Sequence, residues 1–154
     1  MSNPPAVLMV ELIMSIDRMI QSAKLAEATQ RHLLIPGEWP AQVVLGHISQ
    51  VDQQVWLPRI AQMCKAFELH EEPPSFSWWE PDASATFERF NQMSLEQTSA
   101  LAMSERTQLL SAVKDLTPDQ WRAKAHHEAF GLIDIAGLII QVLTHDEEHR
   151  ASLV

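Results

Sequence analysis

Apolar residues recur every third or fourth position over most of the chain, and no stretch alternates convincingly with a period of two, so the pattern predicts helices. The first runs from about Ala6 to Ala28, with Leu8, Leu12, Ile16, Met19, Ala23 and Ala26 along one face. Pro and Gly in "LLIPGEWP" then stop it. A second helix opens near Pro40, a residue tolerated in a first turn, and runs to about Phe67. Its inward row is Val44, His47 and Val51, followed by Gln54 or Val55. Pro58 should kink or interrupt it, because proline removes a backbone donor and crowds the preceding turn.

A third helix is predicted over Ala85–Asp115, through Phe87, Phe90, Gln97, Leu101, Leu109 and Val113. In "LTPDQW", Thr117 as cap, Pro118 in the first turn and Gln120 closing the box announce one more short helix. The last long helix starts after Gly131 with Asp134 as its cap, and Ile135, Leu138, Val142, His145 and His149 form one continuous seam. The outcome is an all-α four-helix bundle, with residues 1–154 as a single domain.

The seam carries imidazoles where the pattern calls for Leu or Val. His145 and His149 lie on the fourth helix and His47 replaces an apolar residue on the second. His47 lies roughly 10 Å into its helix and His149 roughly 8 Å from the end of its own, at about 1.5 Å per residue. These heights agree when the two helices are antiparallel. With short links making helices one and two, and three and four, antiparallel, helices two and three must run parallel, which needs a connection as long as the bundle. The segment from about Leu69 to Ser84 spans on the order of 50 Å extended, against roughly 40 Å for such a helix.

Charge and composition narrow the partners. The net charge is −9, from 20 acidic and 11 basic residues, which repels a phosphate backbone and excludes nucleic acid as a partner. With only 4 glycines and neither a P-loop nor a GxGxxG run, nucleotide binding by those routes is excluded too. The N-terminal segment lacks a basic lead-in and is broken by Glu11 and Asp17, so it reads as neither a signal peptide nor a membrane span. A lone cysteine, Cys64, reads as a small buried hydrophobe in a cytoplasmic protein.

Two imidazoles four residues apart on a helix can converge on one ion at about 2.0–2.1 Å, and a third from a neighbouring helix leaves at least one coordination position open. An open position suits catalysis, since the ion lowers the pKa of a bound water or thiol. Zinc is the first choice of divalent ion, with nickel, iron and manganese also served by imidazole. With 7 histidines in the chain, one HxxxH pair means little by itself; the matched third histidine is what points to a metal site.

The stretches "WPAQVVLGHISQVDQQVWLPRI", "LTPDQW" and "HHEAFGLIDIAGLIIQVLTHDEEHRASL" together resemble the DinB-like (YfiT-like) four-helix bundles. Trp39, Leu45, Gly46 and His47 match the family's helix-two pattern. His127, Gly131, Asp134, His145, Asp146, His149 and Leu153 match that of helix four, with Asp134 where Thr is usual and Ser152 where Gln is common. The resemblance implies an up-down-down-up bundle in which His47, His145 and His149 bind a divalent metal. It also implies a kinship with transferases of small bacterial thiols such as bacillithiol or mycothiol and with a thiol-dependent isomerase, and a tendency to pair as homodimers.

Glu148, between the two C-terminal ligands, is the candidate general base, with a solvated acidic face as the alternative reading for Glu148 as for Asp146 and Glu147. Gln54 is placed either to bond a ligand or bound water or simply as a polar residue at the kink near Pro58. Trp39, Trp78 and Trp79 are candidates for a substrate mouth or for packing of the long loop. His126 and His127 read as structural or capping residues, and His32 and His70 as exposed loop residues. The expected function is metal-dependent transfer of a small thiol to an electrophile. The alternatives are metal-assisted hydrolysis and a non-catalytic bundle binding metal or a small ligand.

Overall fold

The computed structural model describes residues 5–154. Helix α1 spans Pro5–Ala28, and a 3-10 turn at Arg31–Leu33 leads to α2, Ala41–Val51. A π-helical turn, Asp52–Trp56, continues directly into α3, Leu57–Glu68. Strand β1 (Ser75–Phe76), α4 (Ala83–Asn91) and α5 (Leu95–Lys114) follow, then β2 (Lys124–His127), β3 (Gly131–Asp134) and α6 (Ile135–Ala151). The bundle has four columns: α1, α2 with α3, α4 with α5, and α6.

Contacts along the columns give their directions. Gln42 of α2 donates to the Asn91 carbonyl at the end of α4, and Arg106 of α5 meets Asp52 further down the second column, so the middle columns are parallel. Ser15 of α1 donates to Asp146 of α6, and Arg31 after α1 donates to the Ser152 carbonyl after α6, so the outer columns are parallel to each other. The order is up-down-down-up, and the connection from Leu69 to Asp82 is the long crossover.

Three elements depart from the expected pattern. The second column is not broken at Pro58; the chain shifts to a wider turn in which the Leu57 N–H reaches back five residues to the Asp52 carbonyl. The extra residue in that turn buries Asp52, Val55 and Trp56 and leaves Gln53 and Gln54 in solvent, so Gln54 has no ligand to meet inside the bundle. The third helix is interrupted at 92–94, where Ser94 caps a new one: its hydroxyl accepts from Gln97 N–H at 3.1 Å and the Gln97 side chain accepts from Ser94 N–H at 2.9 Å. Gln97 therefore belongs to a capping box rather than the inward row. At "LTPDQW" the Thr117–Gln120 box does form, but it opens only a 3-10 turn, Gln120–Arg122.

The chain also forms a small sheet where strands were not expected. β1 pairs parallel with β2 and β2 antiparallel with β3, with Phe76 opposite His127 and His127 opposite Gly131. The strands are two to four residues long, too short for a period of two to stand out. Gly131, at φ 72°, turns the hairpin, and Asp134 then caps α6 by accepting from Gly137 N–H at 2.8 Å. The sheet fastens the crossover to the start of α6.

Two apolar clusters fill the bundle. Leu8, Leu12, Val55, Ile60, Leu109 and Leu138 belong to one, and Ile16, Met19, Val44, Ile48, Ala102 and Leu153 to the other. Each column also carries one of four buried polar residues that meet inside the bundle: Ser15, Asp52, Arg106 and Asp146. No helix of the described residues is long and apolar enough to cross a membrane.

Candidate metal centre

His47 sits in the second turn of α2, and His145 and His149 in the last two turns of α6. The antiparallel run of these two columns brings their rings to one level. Ring centroids are 5.4 Å apart for His47 and His145, 4.7 Å for His47 and His149, and 4.5 Å for His145 and His149. One nitrogen from each ring lies within 4.8 Å of the others, a spacing that ligands on one ion can adopt.

Packing explains why α2 reaches this position. Gly46, next to His47, lies flat under the Phe90 ring, and a Cβ on that residue would collide with the ring. Trp39 closes the other side, with its ring 5.4 Å from that of His47.

Burial disfavours the charged form of all three rings. Burial, and then repulsion from the neighbouring imidazoles, lowers the pKa of His47 to about 3. Burial, His149 and Arg106 lower that of His145 to about 3, and burial also lowers that of His149. Nδ1 of His47 and Nδ1 of His145 are buried with no hydrogen-bond partner among the described residues. Buried imidazoles normally satisfy both nitrogens. Three neutral rings turned to a common point, with buried nitrogens left unbonded, are a donor set that fits a divalent cation.

Below the rings lies the polar layer, which the sequence reading missed. Arg106 donates to both oxygens of Asp52 at 2.8 and 3.2 Å and to both of Asp146 at 2.7 and 3.0 Å. It also donates to the Leu12 carbonyl at 3.0 Å, and Ser15 donates to Asp146 at 2.7 Å. Two carboxylates hold Arg106 protonated beyond its ordinary range, whereas burial raises Asp52 to about 6 against the pull of Arg106. Asp146 is thus no part of a solvated face, whereas its neighbour Glu147 is exposed and paired with Arg150. The available signals were Arg106 on the inward row of α5 and an Asp next to His145.

A cavity of about 200 Å³ opens beside His145. Val55, Trp56, Arg59, Trp78, Trp79, His127 and Phe130 line it, with Gln141, Thr144 and Glu148 of α6 at its edge. Trp78 and Trp79 therefore wall the cavity, delivered there by the crossover, while Trp39 packs on the far side of His47. Glu148 is exposed at the cavity edge. His127 is buried in the wall, its Nδ1 accepting from Ala129 N–H at 3.0 Å, and does not join the three imidazoles. His126 is exposed near Glu72, His70 is exposed and His32 half-buried, and Cys64 is a buried thiol that burial pushes up in pKa.

Comparison with known proteins agrees with this architecture. Among solved structures, YfiT from Bacillus subtilis, described as a probable metal-dependent hydrolase with an unusual four-helix bundle topology, superposes with a TM-score of 0.66 at 16% identity. That match covers 94% of this chain and 83% of YfiT. A mutant of the mycothiol-dependent maleylpyruvate isomerase also superposes with a TM-score of 0.66, at 11% identity over 98% of this chain. This chain spans only 61% of the isomerase's length. No curated protein sequence matches the chain. A sequence profile of the DinB superfamily matches residues 11–153, nearly the whole length, and the chain belongs to that superfamily.

Proposed function

We propose that this chain is a divalent-metal-dependent enzyme that transfers a small thiol to an electrophilic substrate, with His47, His145 and His149 as ligands and zinc as the ion. The reading rests on one observation: three neutral imidazoles from two helices meet beside an aromatic-walled cavity. Two proteins of the same fold, one described as a probable metal-dependent hydrolase and the other as a mycothiol-dependent isomerase, support metal dependence and the use of a small thiol. An ion held there supplies a Lewis acid that favours the thiolate form of a bound thiol.

The chain's own residues supply the rest. Trp56, Trp78 and Trp79 give the cavity an aromatic wall against which the apolar part of a substrate packs. Glu148, at the cavity edge and open to solvent, accepts the thiol proton at a carboxylate oxygen and passes it to water. Hydrolysis is the second reading, favoured by that same solvent access, with water in place of the thiol. The chain acts as one domain in a reducing cytoplasm, where Cys64 stays a free thiol. A second copy is the partner that would cover Val7, Val10 and Met14, exposed on α1; sedimentation measures it.

Elemental analysis of tag-free protein purified without chelators should find about one metal ion per chain. His47→Ala should abolish zinc binding in calorimetry while leaving helicity intact, and Glu148→Gln should lower kcat by about 100-fold or more. Bacillithiol, glutathione and water offered together to an aryl halide separate transfer from hydrolysis. A protein that binds no divalent metal on titration would leave only the non-catalytic bundle.

A further inference from the structure

The cavity beside the imidazoles has a cationic wall that the proposed chemistry does not use. Arg59 of α3 lies on it, its guanidinium 4.8 Å from the Phe76 ring centroid and 5.9 Å from that of Trp56. It donates to the Ser77 carbonyl at 2.7 Å, and among the described residues no carboxylate pairs with it. Burial draws its pKa below the ordinary value, as expected of a guanidinium stripped of part of its water, yet arginine stays charged.

His127 stands on the same wall. Its Nδ1 accepts from Ala129 N–H, so the neutral ring carries its hydrogen on Nε2, a donor without a partner among the described residues. Burial, and then the charge of Arg59, lowers its pKa against the pull of Glu128. Around these two donors the surface is aromatic: the His127 ring is 5.9 Å from Trp78 and 4.6 Å from Phe130. An unpaired cation and a spare N–H among flat apolar walls match a carboxylate on a planar body.

We propose that this cavity recognises a small planar carboxylic acid, with Arg59 pairing its carboxylate, His127 donating a second hydrogen bond and the aromatic rings holding its apolar part. The proposal rests on the functional reading above and names the substrate class of that site. The volume of about 200 Å³ lies below the range of drug-sized pockets, which limits the occupant to about one ring. Pairing the charge and stacking the ring would fix the acid's orientation toward His145, the member of the trio that lines the cavity.

Benzoate and benzamide, which share a ring and differ in charge, are the probes. Tryptophan fluorescence and calorimetry should give benzoate a Kd about tenfold below that of benzamide, the scale of one charge-assisted hydrogen bond. Arg59→Met should bring the two within about twofold, and His127→Phe should cut the preference by about threefold. Equal binding of the two probes by the native protein, or a preference that survives Arg59→Met, overturns the proposal. Should Arg59→Met not fold by circular dichroism, His127→Phe decides, and an unaltered preference there overturns it. A preference for mercaptoacetate over mercaptoethanol without one for benzoate assigns the charge to the thiol and likewise overturns it. Zinc titration is read separately: zinc binding without acid preference refutes this proposal alone, and acid preference without zinc binding refutes the metal reading alone.

Discussion

Arg106 is among the largest fully buried side chains in the protein, and its two acidic partners share its burial. Removing one member of such a set strands charge in a low-dielectric interior. Arg106→Leu should therefore cost about 3–5 kcal/mol of stability. The sign with pH follows from what remains: burial already raises Asp52, and without the opposing pull of Arg106 its folded pKa lies still further above the unfolded one. Stability of the variant should then be better at low pH and fall as pH rises through the folded value of Asp52, measurable as urea midpoints across pH 5 to 8. At this scale the sequence was informative about the imidazoles and silent about the layer beneath them. Histidines on an apolar seam break a pattern visibly, whereas Asp146 stands in a run of acids whose usual place is solvent.

Helices meet here by close approach as much as by apolar burial. Gly46 lets α2 press against Phe90 of α4, so Gly46→Ala overpacks that contact. We expect a loss of about 1–3 kcal/mol in denaturant unfolding, with weaker zinc binding because His47 is the next residue. Ser94→Ala removes one half of the box that starts α5 and should cost about 1 kcal/mol, measured the same way. The long helices, the Asp134 cap and the Thr117–Gln120 box were readable because periodicity and capping are local. The break at Ser94 was readable in principle from Ser and Gln three apart, but the apolar row carried on past it and masked the signal. The sheet was not readable, since its strands are fixed by pairing with distant segments rather than by their own pattern.

The whole molecule couples its site to its stability through protons. Metal-free, the folded protein holds His47 and His145 neutral down to about pH 3, and His149 is shifted the same way. The unfolded chain protonates those rings near the ordinary value of about 6.5. Between about pH 6.5 and 3 the unfolded state therefore binds more protons, and stability must fall as pH falls. Asp52, raised to about 6, acts in the opposite sense below that pH, but it is one group against three. The urea midpoint of chelator-treated protein should thus drop steadily from pH 7 to pH 5, and saturating zinc should raise it at each pH.

The wide turn at Asp52–Trp56 has a consequence of its own. Each residue advances a helix by about 100°, so the extra residue sets the phase of α3 against α2. Deleting one residue there would leave His47, upstream, where it stands and rotate Arg59, downstream, away from Trp78 and His127. A single-codon deletion would then separate the imidazole of His47 from the guanidinium of Arg59, and end any action the two have in common.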